Sequence, residues 1–220
     1  GYFLSYFYRS ANAVLAKDLS QELGLGPAEL GFMTSLFYLA FAAAQLPLGG
    51  LLDRVGPRAV TPALLLVAAL GSVVFGLAQS FAVLALGRAL IGVGMAAALM
   101  GSMRAFSLWF PRNYATVSTL LVGLGATGGL MAATPLALLK EALGWRGVFL
   151  LGAFVVALVA LALYLGVRNT PPGVAWPGGQ RGDGLGEVFR NGRLLRVAFL
   201  AFAFAGSPMS RSTSAGRTKR

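Results

Sequence analysis

Two arginines, Arg9 and Arg88, stand inside apolar sequence, and the chemistry open to this chain gathers around them. A guanidinium presents a planar fork of donors suited to gripping a carboxylate bidentately. At helical spacing Tyr2, Ser5, Tyr6, Arg9 and Asn12 fall on one stripe. A second stripe holds Thr34, Tyr38 and Gln45. A charge in hydrocarbon costs at least about 2.5 kcal/mol, so such residues normally face a bundle interior or a wet cavity. The alternative for Arg9 is to snorkel to the headgroups or to make a structural bond between helices; the polar residues of the second stripe could equally be interhelical glue. The chain has no Cys and no His. That removes thiol nucleophiles, disulfides, histidine metal sites and the Ser-His triad, and no catalytic dyad or cofactor-binding set remains. Two intramembrane cations without an intramembrane carboxylate favour a small anionic ligand.

The elements that position these residues are membrane spans. The composition is 57% hydrophobic and 11% charged, with a mean hydropathy of +0.74, whereas soluble domains carry about 25% charged residues. Thirty glycines suit closely packed transmembrane helices. Hydropathy predicts spans at about residues 1–16, 27–52, 57–78, 81–103, 115–139 and 145–167, together a six-helix bundle over 1–167. Residues 168–192 read as a polar Gly/Pro-rich linker with a short surface helix near 185–190. A seventh apolar run begins at 193 and stops by 206, too short to span, and 207–220 is a polar basic tail. The break inside a span predicts a fragment or a disrupted reading frame, lacking a C-terminal half unless a homodimer partner covers its open face. Arg9 and Arg88 both fall roughly 10–12 Å below the same membrane surface. Basic residues set the orientation: Arg54, Arg58, Arg104, Arg112, Arg168, Arg181, Arg190, Arg193 and Arg196 share one side, against Lys17, Lys140 and Arg146 on the other. The first side is therefore cytoplasmic. The net charge of +11 is then a topology signal rather than a nucleic-acid footprint.

Between the second and third spans lies Gly49-Gly50-Leu51-Leu52-Asp53-Arg54-Val55-Gly56-Pro57-Arg58. Gly56 permits a tight turn and Pro57 suits the first turn of a helix. The order G-x-x-x-D-R-x-G-x-R resembles the signature loop of the major facilitator superfamily of secondary transporters. Arg88-x-x-x-Gly92-x-Gly94 is similar to that family's fourth-span motif. Trp109-Phe110-Pro111-Arg112-Asn113 and Gly144-Trp145-Arg146-Gly147-Val148-Phe149 look like its anion–cation symporter branch, although Tyr8 stands where that branch often has an acid. The resemblance implies an all-α membrane protein: six transmembrane helices as two three-helix inverted repeats, plus a linker and a truncated seventh helix. It implies a multi-pass protein of a bacterial inner membrane that carries a small organic anion by alternating access, as a symporter. Arg9, Tyr6, Asn12, Tyr38, Gln45 and Arg88 become the candidate substrate contacts, with Arg88 open to a purely structural role. Gly49, Asp53, Arg54, Gly56, Arg58 and Arg104 become a gating motif in which Asp53 pairs with Arg104. The rival class is a non-transporting membrane sensor or accessory protein on the same scaffold, or an inactive transporter fragment.

The basic bias generates a topology test that the absence of native Cys makes clean. Single cysteines at Arg58, Gly182 and Glu22 are probed with an impermeant thiol reagent in intact cells. Labelling at Glu22 alone is expected; labelling at Arg58 or Gly182 with Glu22 silent contradicts the orientation.

Overall fold

The computed structural model describes residues 1–131, 134–173 and 192, apart from the side chains of residues 12, 13, 131, 134 and 135. The chain divides into two compact units, Gly1–Gly179 and Gln180–Arg220; of the second only Gly192 is described. The expected surface helix near 185–190, the seventh run and the basic tail lie outside the described residues.

The first unit contains seven helical stretches: α1 (Tyr2–Leu23), α2 (Pro27–Val55), α3 (Pro57–Gly76), α4 (Phe81–Met95), α5 (Ala97–Trp109), α6 (Tyr114–Met131) and α7 (Thr134–Gly166). Ala96 between α4 and α5 keeps helical dihedrals, so Phe81–Trp109 serves as one span. Together with α2, α3 and Leu136–Gly166, it makes four helices long and apolar enough to cross a bilayer among the described residues. Tyr114–Leu130 is apolar but shorter. α1 is long enough at about 33 Å, but charges crowd its second half.

Several expected boundaries move, each for a local reason. The first helix does not stop at residue 16 but runs to Leu23, because buried Leu15 and Leu19 carry its apolar face onward. Gly24 then ends it in the left-handed conformation, at φ 66. Asp53 and Arg54 lie in the last turn of α2 rather than in a loop, and the predicted connection shrinks to Gly56. The fourth span extends to Trp109, which places Arg104 within α5 instead of in a loop. The fifth and sixth spans meet not in an open loop but within α7, where Gly144 alone breaks the helix, at φ 68. The fifth expected span thus takes in α6 and the first turns of α7.

Packing follows from small residues. α3 packs against both α4 and α7, α2 against α4, and α1 against α6. Gly92 faces the Phe37 carbonyl of α2, while Gly94 meets the backbone of Ala68 in α3, so α4 is wedged between two backbones. On the other side Gly128 of α6 lies against the Phe3 carbonyl of α1. The α1–α6 and α4–α2 pairs have a common logic: the first helix of each three-helix unit packs on the second helix of the other, as two inverted repeats require. The main core joins Tyr8, Leu15, Met33, Phe37, Phe75, Ile91 and Phe149 across five helices.

Replacing Gly94 by Val puts side-chain atoms where the Ala68 backbone already sits. Overpacking of this kind costs about 1–3 kcal/mol. Gly94→Val should therefore lower the unfolding temperature of the detergent-purified protein, whereas the same change at Gly49, where a Cβ meets nothing within 4 Å, should leave it nearly unchanged. Equal melting of the two variants contradicts this packing.

Candidate functional site

Arg9 is partly buried where α1 faces α2, and its surroundings are aromatic rather than acidic. The guanidinium carbon lies 4.5 Å from the ring centroid of Phe41, 5.4 Å from Tyr6 and 6.0 Å from Tyr38. Cation–π attraction to each ring contributes about 0.5–1 kcal/mol or more as the site dries, which holds the cation without neutralising it. Its Nε is enclosed and makes no hydrogen bond among the described residues. Recognition of an anion by a guanidinium uses its N–H donors. Tyr38 itself is 47% exposed and Gln45 is partly exposed, with Tyr38, Phe41 and Gln45 on one face of α2. The side chain of Asn12 lies outside the described residues.

The stripe on α1 is not uniformly wet, as its polarity had implied. Tyr2 is buried against Gly125 of α6, with its hydroxyl 3.5 Å from that of Tyr6, and Ser5 is fully buried. Close helix packing made possible by Gly125 of α6 covers Tyr2, while Tyr6 and Arg9 stay partly exposed. Phe41 had no polar signal to announce it. Its place at i+3 from Tyr38 on the same face was the only clue in the sequence.

Arg88 is placed differently from Arg9. It is 1% exposed, and its Nη1 donates to the Tyr8 backbone carbonyl at 3.1 Å. Phe75 and Phe149 stack about it at 4.8 and 5.5 Å. Arg88 and Arg9 therefore lie at one level of the bundle, but Arg88 is enclosed among α1, α3, α4 and α7 rather than lining the Arg9 edge. Beside it the Tyr8 and Ser72 hydroxyls are 2.8 Å apart, and Ser72 donates onward to the Ala68 carbonyl. Gly152 leaves room for the Tyr8 hydroxyl.

Both ends of the bundle are tied by ion pairs. At one end Arg104 of α5 lies 3.1 Å from Asp53 of α2. At the other, Lys140 of α7 lies 2.9 Å from Asp18 of α1. Counting from the first residues of α2 and α6, Asp53 and Lys140 occupy the same position, each about 26 residues along, so the repeat places these pairs at opposite ends with their charges exchanged. Asp53 is largely exposed, so a pair of this kind contributes about 0–1 kcal/mol. It can break and reform. Glu22 is held more firmly, accepting from the Trp145 indole and from Arg146 at 2.8 and 3.1 Å. Arg146 also donates to the Ala78 carbonyl at 2.6 Å and the Gly76 carbonyl at 3.3 Å, pinning the end of α3.

This arrangement of helices and motifs is matched by a family model. The Major Facilitator Superfamily model covers residues 1–214, and the chain belongs to that family. It is therefore a multi-pass membrane protein of a family of transporters. Among its relatives, a probable L-galactonate transporter of Escherichia coli is 30% identical over 76% of this chain and 37% of the relative. A probable sulfoacetate transporter of Cupriavidus necator is 32% identical over 69% and 36%. A nitrate/nitrite transporter of Picosynechococcus is 29% identical over 78% and 38%. The chain thus spans under two fifths of the length of these relatives. Among solved structures, a bacterial homologue of the human lysosomal transporter Spinster superposes with a TM-score of 0.66 over 86% of this chain and 46% of that one, at 22% identity. That likeness carries the fold.

The Trp145 and Arg146 donors hold the Glu22 carboxyl below its ordinary value of 4.5. A depressed folded-state value means that the stabilisation is complete above pH 4.5 and is lost as the pH falls through the folded value. The melting temperatures of the native protein and Glu22→Gln should therefore differ at pH 7 and converge as acidification passes below the depressed folded-state value. A difference that persists unchanged into acid contradicts this role for the carboxylate.

Proposed function

We propose that this chain forms the first half of a secondary active transporter that moves a small organic anion by alternating access, with Arg9 as the countercharge. The observation that carries the reading is the Arg9 guanidinium itself, faced by three rings and with an enclosed Nε that makes no hydrogen bond among the described residues. Among the described residues no carboxylate is paired with Arg9; Asp18, Glu22 and Asp53 pair with Lys140, Arg146 and Arg104. Tyr6, Tyr38, Gln45 and Asn12 serve as the surrounding polar contacts, and Arg88 acts through the α1 backbone rather than on the solute. The opposite wall of the cavity comes from a second bundle, either further polypeptide of the same protein or a second copy. Three relatives named as transporters of L-galactonate, sulfoacetate and nitrate/nitrite support an anion. The Asp53–Arg104 pair, with Gly49, Arg54, Gly56 and Arg58 around it, serves as a cytoplasmic gate latch. The membrane is the bacterial inner membrane, and transport runs as symport.

Loss of a charge-assisted hydrogen bond costs about 1.5–3 kcal/mol, or roughly ten- to a hundredfold. Arg9→Ala should lower uptake by at least about tenfold, measured on the full-length transporter with radiolabelled sugar acids and short sulfonates. Arg9→Lys keeps the charge without the fork and should recover only part of the loss. Normal uptake by the Ala variant, at equal membrane abundance, removes Arg9 from the site.

A further inference from the structure

Among the backbone groups that the turn between α2 and α3 leaves without helical partners are the Val55 carbonyl at the end of one helix and the Arg58 N–H in the first turn of the next. One side chain from far along the sequence meets both. Asn169 Oδ1 accepts from the Arg58 N–H at 2.9 Å, and Asn169 Nδ2 donates to the Val55 carbonyl at 3.4 Å. Gly56 lies between them at φ 94, and a Cβ there would fall 2.5 Å from Asn169 Nδ2. Glycine is thus required twice, by the backbone angle and by the approach of the amide.

The residues around Asn169 are fastened as well. Arg58 Nε donates to the Tyr164 carbonyl at 3.3 Å, with the guanidinium 5.7 Å from the Tyr164 ring. Trp109 at the end of α5 donates its indole N–H to the Arg168 carbonyl at 3.2 Å. Residues 168 and 169 therefore touch the α2–α3 turn, which follows Asp53 by a few residues, and the end of α5, which follows Arg104 by five. A single short segment thus joins the two elements that supply the Asp53–Arg104 ion pair.

We infer that Asn169 is a positioning residue: its side-chain amide fixes the α2–α3 turn and, through the 168–169 segment, holds Asp53 in register with Arg104. The hold on the turn is independent of the transport reading, and the test uses no transport. Amide-resolved hydrogen exchange is measured on the chain in detergent micelles. Asn169→Ala should speed exchange at Arg58 by at least about tenfold while leaving Leu65, in the middle of α3, protected. Asn169→Asp keeps the oxygen acceptor and should leave Arg58 protected. Equal protection of Arg58 in the native and Ala forms overturns the inference, and so does equal exposure in the Ala and Asp forms. Arg104→Ala should also lower the melting temperature less in the Asn169→Ala background than in the native one, since coupled groups are not additive. Strict additivity overturns the connection to the ion pair.

Discussion

A guanidinium enclosed in an apolar bundle has to find its partners within the protein, and the arrangement of this bundle depends on how Arg88 does so. Hydrocarbon offers no hydrogen bonds, so an isolated cation there is costly. Arg88 reaches across to the Tyr8 carbonyl of α1 and stacks between rings from α3 and α7. Gly92 and Gly94, within two turns of it, bring α4 close enough to α2 and α3 for the charge to be wrapped. One buried cation thus sets α1, α3, α4 and α7 against one another. It also fixes the backbone immediately before Arg9.

The two arginines are placed differently. Arg88 is covered and gives its Nη1 to the Tyr8 backbone carbonyl, whereas Arg9 is only partly buried and has aromatic rings around it. Rings attract a cation without cancelling its charge, which leaves it available to an anion. The ends of the bundle follow a comparable division. The exposed Asp53–Arg104 pair is weak enough to open, while Glu22, Trp145 and Arg146 form a denser tie that gathers α1, α7 and the end of α3. The bundle is therefore firm at one end and releasable at the other.

Much of this was legible in the chain. Spans and the motif around Asp53 depend on hydropathy and charge, which survive without tertiary information, and the helices begin at Pro27, Pro57 and Phe81 where the apolar runs do. The contact between Asp53 and Arg104 could be named because both sit at helix ends on the basic side. What escaped the sequence depends on packing. The polar stripe on α1 gave no sign that Ser5 and Tyr2 would be buried; for Tyr2 this follows from the close approach that Gly125 of α6 allows. Phe41 is apolar and has no periodic mark of a site residue. Asn169 lies 111 positions from the turn it bridges, in a segment that reads only as linker. The helix ends at Leu23 and Trp109 were missed because charged residues paired across helices remain helical where hydropathy alone stops.

The central claim is that the cavity recognises negative charge. Its most direct measurement is competition in proteoliposomes holding the full-length transporter, with uptake of a labelled organic carboxylate challenged by other carboxylates and by their neutral amides. The account predicts saturable uptake that carboxylates and short sulfonates inhibit and amides do not. Equal inhibition by the amides, or uptake of organic cations at the same site, contradicts it.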